Sequence, residues 1–180
     1  MPEKDLKSAA PVLDDETYQF IEELFQLVRF GDAARLRDLL AHGLAPNIRD
    51  GKGNSLLMLA SYNGNHDAAR ALIEYGGDPQ LANDQGQIPL AGAVFKGDTE
   101  MVRLLIESGA DVNARMPDGK TALMFAAIFD RTEIIDLLLA RKADPTLQTA
   151  DGKTALDLAQ AMGVNAATER LTKAPARPNG

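Results

Sequence analysis

Apolar residues recur along most of this chain at the three- and four-residue spacing of amphipathic helices, and glycine interrupts them at regular intervals. Residues 84–113 show the unit clearly. Pro89 is expected to begin a short helix that ends at Gly97, because proline suits a first helical turn and glycine accepts the left-handed conformation of a helix end. Asp98 then caps a second helix with a wide apolar stripe, and Gly109 ends it.

The same unit recurs with a period of 33 residues. A fixed period of this length is typical of stacked repeats, in which each unit buries its apolar face only against its neighbours. The pattern therefore predicts an all-α protein built from repeated helix-turn-helix units. The turn glycines are Gly53, Gly86, Gly119 and Gly152, and the paired apolar residues of the second helices are Leu39/Leu40, Leu72/Ile73, Leu105/Ile106 and Leu138/Leu139.

With its GxTxL openings, its paired leucines and its GAD endings, the sequence resembles the ankyrin repeat family. The resemblance implies a solenoid of stacked helix-turn-helix units joined by β-turn fingers. It covers one domain, residues 18–171, which follows a flexible leader, residues 1–17, and precedes a disordered tail, residues 172–180. The expected repeats are an atypical first one at 18–49, three fuller ones at 50–82, 83–115 and 116–148, and a C-terminal one at 149–171.

Several positions depart from the family pattern. Ser55, Thr121 and Thr154 each offer a hydroxyl that can cap an inner helix, whereas Ile88 cannot, so its helix should begin less firmly by about 0.5–2 kcal/mol. Lys142 replaces the glycine that ends the second helix in the other repeats. If Lys142 holds a positive φ, glycine there should stabilise the chain.

Composition narrows the classes of function. The chain has 180 residues, a formal net charge of -7, no cysteine and two histidines. The acidic balance disfavours nucleic acid as a partner, and no apolar run reaches the length of a membrane-spanning helix. The N-terminus has no apolar core typical of a secretory signal, so a cytoplasmic protein is expected.

No motif points to catalysis, a cofactor or a metal. Residues 119–121 and 152–154 both spell GKT, but the phosphate-binding loop needs a further glycine five positions before its last one, where Ala114 and Leu147 stand. His66 with Asp67, and Asp157, have no partners at metal-ligand or catalytic-triad spacing, and His42 and His66 are expected to be partly exposed surface residues. The chain is therefore predicted not to be an enzyme and to carry no cofactor.

The family resemblance implies that the inner helices and the fingers line a concave face, here called the inner face, on which a partner would bind. The residues just before each inter-helix break lie on it, and they hold many of the chain's few aromatic residues, which commonly anchor interfaces. The predicted partner-binding residues are Phe30, Arg49, Lys52, Tyr62, Tyr75, Phe95, Lys96, Arg115, Ile128 and Phe129.

Alternatives stay open at this point. The aromatic residues could instead pack between repeats as ordinary core. The favoured function is a non-enzymatic module, monomeric when free, that binds an unidentified protein partner and inhibits, stabilises or positions an enzyme or toxin. The alternatives are a small-ligand binder or enzyme with an unrecognised site, and a structural or self-associating scaffold.

Overall fold

Ten α-helices in five successive pairs form the part of the chain that the computed structural model describes, residues 14–174. Each pair is joined by only a few residues, so its two helices pack antiparallel. The helices are α1 (Asp15–Phe30), α2 (Ala33–Ala41), α3 (Leu56–Tyr62), α4 (His66–Glu74), α5 (Pro89–Lys96), α6 (Thr99–Glu107), α7 (Ala122–Ile128), α8 (Thr132–Ala140), α9 (Ala155–Ala161) and α10 (Asn165–Thr172).

The helix pairs stack side by side in two rows. Each odd-numbered helix contacts the next odd-numbered one, and these inner helices form one row, while α2 contacts α4 and α8 contacts both α6 and α10 in the other row. Within residues 14–174 no strand occurs, and only an isolated bridge joins Arg49 to Ser55. The predicted all-α solenoid of helix-turn-helix units is confirmed.

One leucine at an equivalent position in each central repeat is fully buried between the rows. Leu72, Leu105 and Leu138 have no exposed surface, whereas the apolar residue that follows each of them is only partly buried. In α2 the order is reversed, because Leu40 is buried and Leu39 is only partly so. The terminal pair therefore packs differently from the central ones, as expected for a repeat with one neighbour.

Hydrogen bonds also join each repeat to the next through the loops that follow the outer helices. The amide of Asp78 donates to the side-chain oxygen of Asn47 at 2.8 Å, and the amide of Asp144 donates in the same way to Asn113 at 2.8 Å. The aspartates at these positions in turn accept from the amide two residues later. Their recurrence in the sequence thus reflects loop structure.

The predicted helix caps are partly confirmed. Ser55 accepts from the amide of Met58 and Thr154 from that of Asp157, while Ile88 makes no side-chain cap, as expected. The prediction for Thr121 was wrong: its side chain is buried and makes no capping hydrogen bond. A hydroxyl at the right position caps a helix only if its rotamer points back along the first turn.

The boundaries of the predicted domain stay predictions. Helix α1 begins at Asp15, where Asp14 accepts from the amide of Thr17 at 2.7 Å, so the last residues of the expected leader lie in the first turn of α1. Residues 1–13 and 175–180, which carry the rest of the leader and most of the expected tail, lie outside the described residues. Among residues 14–174 no helix has both the length and the apolarity needed to cross a membrane.

Lys142 has the left-handed conformation expected for a glycine position, with φ of 68°. Replacing Lys142 with Gly should therefore raise the free energy of unfolding by up to about 1–2 kcal/mol, because the Cβ crowding of an L-residue at positive φ disappears. Chemical denaturation of both proteins would measure the change. An unchanged or lower stability would contradict the expectation.

Asp130 provides the matched control, because it is the other non-glycine residue with positive φ in the described part of the chain, at 52°. Its carboxylate accepts from the amide of Ala167 at 2.8 Å and so joins the turn between α7 and α8 to α10. Asp130→Gly removes the backbone strain but also this hydrogen bond, which leaves a helix amide without its partner. This variant is expected to gain less than Lys142→Gly or to lose stability.

Candidate functional site

Three aromatic rings meet at the carboxyl ends of the inner helices α3, α5 and α7. Tyr62 stacks on Phe95 with ring centroids 6.3 Å apart and planes 9° from parallel, and Phe95 meets Phe129 edge-on at 5.0 Å and 90°. Phe125 stacks on Phe129 at 6.4 Å. These separations fall within the range in which aromatic pairs attract one another. We call these four residues the aromatic ladder.

The repeat period explains the geometry of the ladder. Tyr62 and Phe95 occupy equivalent positions 33 residues apart, so neighbouring inner helices present their rings at the same level and nearly parallel. Phe129 comes one residue later in its repeat and follows the end of α7, so its ring approaches Phe95 edge-on. The sequence predicted these residues singly, and the structure brings them into contact.

Three rings of the ladder are exposed as well as packed, and the fourth, that of Phe125, is half-buried. Tyr62 is 45% exposed, Phe95 43% and Phe129 37%, and each nevertheless contacts another ring. A buried core residue would lose nearly all of its exposed surface, and an isolated surface residue would make no such contacts. The ladder is therefore a continuous aromatic surface that remains open to solvent.

Lys96 extends this surface with a positive charge. Its Nζ lies 4.9 Å from the centroid of the Tyr62 ring, close enough for a cation–π interaction. Among the described residues Lys96 forms no ion pair. An exposed aromatic surface and an ammonium group thus lie together at one end of the inner face.

A groove of 460 Å³ runs between the inner helices beside the ladder. Ladder residues form part of its wall, and side chains from three repeats form the rest. Its lining residues are Asn54, Met58, Leu59, Tyr62, Gln87, Ile88, Ala91, Gly92, Phe95, Met116 and Phe125.

Several lining residues, including Met58, Ile88 and Gly92, were not among the predicted site residues. One signal in the sequence could have indicated the groove. The inner-helix position equivalent to Gly92 holds Leu59 and Phe125 in the adjacent repeats, so a glycine stands between two large side chains. That pattern becomes informative only once the helices are known to lie side by side.

The two finger arginines have structural contacts within the chain. Arg49 donates to the carbonyls of Gly53 and Ala82, each at 2.8 Å, and Arg115 donates to the carbonyl of Gln148. Ala82 and Gln148 lie 33 residues after Arg49 and Arg115, so each arginine ties its finger to the next repeat. Exposed Lys52 lies in the same row of fingers.

The carboxylates of Asp50 and Asp118 accept hydrogen bonds from residues of their own fingers. A hydrogen bond from the Lys120 ammonium group, and a second from the Lys120 amide, lower the pKa of Asp118. Burial opposes ionisation of Asp50, but hydrogen bonds from the Asn54 side chain and from the amides of Asn54 and Lys52 outweigh it and lower its pKa. Because both values are lowered by folding, these contacts stabilise the fold at neutral pH and are lost on strong acidification.

The other predicted site residues lie outside the ladder. Phe30, at the end of α1, is 83% exposed, and Ile128 is half-buried at the end of α7. Tyr75 follows α4, which runs antiparallel to α3, so it lies at the opposite end of its repeat from Tyr62. Phe30 can extend the inner face, whereas Tyr75 is not among the residues that line the groove.

His66 has a carboxylate partner from the next repeat. Its Nε2 lies 2.8 Å from a carboxylate oxygen of Asp98, which also accepts from the amide of Met101 at the start of α6. The two residues are 32 positions apart and meet because α4 and α6 lie in adjacent repeats. The expectation that His66 lacks such a partner was wrong. The contact joins one repeat to the next.

No metal site is apparent in residues 14–174. No group of three or more histidine, cysteine, aspartate or glutamate side chains is arranged there to hold a metal ion. The groove is lined by apolar and neutral side chains, without any titratable group except the Tyr62 phenol. A lining of this kind favours contact with apolar groups of a bound molecule.

Comparisons with known proteins agree with the repeat architecture. A family model described as ankyrin repeats in three copies matches residues 24–116, and one described as ankyrin repeats in many copies matches residues 105–159. The ankyrin repeat protein PA3287 of Pseudomonas aeruginosa is 54% identical to this chain over 63 residues. That match covers 35% of this chain and 37% of the relative, little more than a third of either.

Proposed function

The chain belongs to the ankyrin repeat family, and from this premise we propose that it is a non-enzymatic module that holds one protein partner on its inner face. Ankyrin repeats are generally protein–protein interaction modules and are typically not enzymes. The identity of the residues on the inner face, rather than the fold, determines which partner a given chain selects.

The observation that carries the proposal is the aromatic ladder. Its rings stay between 37% and 45% exposed at Phe129, Phe95 and Tyr62 although each contacts another ring. Adjacent exposed aromatic groups commonly mark an interaction surface, and tyrosine is among the residues that dominate interface energies. Covering the ladder and the adjoining groove with a partner would remove this apolar surface from water.

The proposed mechanism is occupancy. The partner, an enzyme or toxin in our proposal, is inhibited, stabilised or positioned because the ladder and the fingers cover part of its surface. The ladder would supply the buried anchors, while Lys52 and Lys96 would supply polar contacts at the rim. Arg49 and Arg115 would act indirectly, by holding the fingers in place.

Affinity capture from the native host, read by mass spectrometry, tests the proposal with the double variant Phe95→Ala and Phe129→Ala. We expect the wild-type chain to retain one protein and the variant to lose at least about tenfold in affinity for it, because two anchors are truncated. The variant should keep its helical circular dichroism, since both rings are partly exposed in the free chain.

The matched control removes two exposed aromatic residues away from the ladder. Tyr18 is 59% exposed and Phe20 42%, both near the start of α1, so Tyr18→Ala with Phe20→Ala deletes comparable surface. This control should retain the partner. Equal loss of capture in both double variants would contradict a binding surface at the ladder, and a large fall in the melting temperature of the ladder variant would show that its rings act as core.

A further inference from the structure

The groove contains a notch where one inner helix lacks a side chain. A Cβ atom added to Gly92 would meet a single neighbour, Cδ2 of Tyr62, at 3.7 Å, which is an ordinary van der Waals contact. Leu59 and Phe125, at the equivalent position of the adjacent repeats, line the groove on either side. Because Gly92 lies within α5 and has no positive φ, the backbone does not require glycine there.

The groove around the notch is apolar in its middle and polar at the finger end, and Lys96 lies beside it at the Tyr62 ring. Met58, Ala91 and Met116 lie among its lining residues, and none of the lining side chains carries a charge. At the finger end, the side-chain oxygen of Gln87 accepts from Asn83 at 3.0 Å, while the Gln87 amide nitrogen has no partner among the described residues. At the other end of α5 stands Lys96.

These two polar groups set the size and charge of an occupant. Helix α5 has eight residues and is about 12 Å long, so Gln87 and Lys96 are separated by roughly four residues of extended chain. A segment of polypeptide spans this distance with one side chain in the notch. Lys96, which has no ion pair in residues 14–174, and the Gln87 amide both donate hydrogen bonds, so they complement an acceptor-rich, acidic segment.

We infer, on the premise of the proposed function, that the Gly92 notch receives one large apolar side chain of the partner. The residue two positions along that partner segment, whose side chain lies on the same face of an extended chain, is Asp or Glu, and its carboxylate pairs with Lys96. Desolvation of the apolar side chain supplies affinity, while the charge pair at the rim fixes the direction in which the segment lies.

A random 12-residue peptide library displayed on phage and panned on the full-length chain tests this inference. The retained peptides are expected to share a Leu, Met, Phe or Trp two positions from an Asp or Glu. Their dissociation constants are then measured by fluorescence polarisation for each variant below. A library that yields no retained peptide, or peptides enriched in Lys and Arg, overturns the inference.

Two substitutions at one position separate the notch from helix stability. Gly92→Leu fills the notch with the side chain that the adjacent repeat already carries, and it is expected to weaken the selected peptides by at least about tenfold. Gly92→Ala improves helix propensity but adds only one methyl group, so binding should change less than about threefold. Melting temperatures at or above that of the wild type in both variants show that any loss of binding comes from the filled notch.

A charge exchange tests the role of Lys96. Lys96→Glu is expected to weaken peptides that carry the acidic residue by about tenfold, and replacing that residue by Lys in the peptide should restore most of the loss. If the exchanged pair binds no better than Lys96→Glu with the original peptide, the assigned charge pair is overturned.

The ladder variant distinguishes failure of this inference from failure of the proposed function. Peptides retained by Gly92→Leu but lost by Phe95→Ala with Phe129→Ala overturn the notch and leave a binding surface at the ladder intact. Peptides that bind both variants as well as the wild-type chain overturn the notch and also count against the proposed surface.

Discussion

Leu105→Ala is expected to lower the free energy of unfolding by about 2–5 kcal/mol, the cost typical of deleting a buried leucine and leaving a cavity. Leu105 lies in α6 at the centre of the stack and has no exposed surface. Its loss weakens the central repeat, and each repeat is coupled only to its neighbours. Denaturant unfolding followed by circular dichroism would measure the change.

Hydrogen exchange would show where the stack opens. In Leu105→Ala, amide protection on one side of α6 should be lost at a lower denaturant concentration than on the other. Leu39→Ala is the matched control, because Leu39 occupies the equivalent position in the first repeat but is only partly buried. It should cost less than Leu105→Ala. Equal costs at the two positions, or protection lost uniformly along the chain, would contradict this account.

Gly119→Ala is expected to cost about 2–5 kcal/mol, through two effects that add. Gly119 has φ of +80°, which disfavours any Cβ by about 1–2 kcal/mol. The added Cβ would also lie 2.9 Å from the amide nitrogen of Ala150 and 3.0 Å from backbone atoms of Thr149. Because these are backbone atoms of the next finger, they cannot move without disturbing it, and overpacking of this kind costs about 1–3 kcal/mol more.

Gly152→Ala isolates the second effect. Gly152 occupies the equivalent position one repeat later with φ of +78°, but an added Cβ would meet nothing within 4 Å. Both variants replace glycine by alanine and therefore lower the conformational entropy of the unfolded chain equally. This contribution to stability cancels when the two variants are compared. Gly119→Ala should therefore be less stable than Gly152→Ala by about 1–3 kcal/mol in thermal or denaturant unfolding. Equal stabilities would show that the approach of the two fingers is not restrictive.

The fold was predictable because its information is local and repeated. Each repeat carries its own helix boundaries, such as Pro89 at the first position of α5 and Gly97 after its last, and the 33-residue period supplies several independent copies of the same pattern. The exceptions arose where a local rule depends on side-chain conformation. Thr121 has a residue type that commonly caps helices, but its side chain is buried and makes no capping hydrogen bond.

The candidate site was predictable only in part. The period identified Tyr62, Phe95 and Phe129 as residues near the same edge of the inner face, and the structure shows their rings in contact. It also places Tyr75 at the far end of its repeat, an arrangement that follows from the antiparallel path of α4 and not from residue type. The arginines predicted to bind a partner also donate hydrogen bonds to the next finger, a contact that residue type alone does not indicate.

The sequence by itself determined the repeat, the helices and the positions that are equivalent from one repeat to the next, because periodic apolar residues and turn glycines act over short stretches of chain. Only the tertiary structure decided which equivalent positions touch and what space they leave. The pairing of His66 with Asp98 forms between two repeats, and the notch at Gly92 is enclosed by three. Both depend on how neighbouring repeats pack, which no single residue specifies.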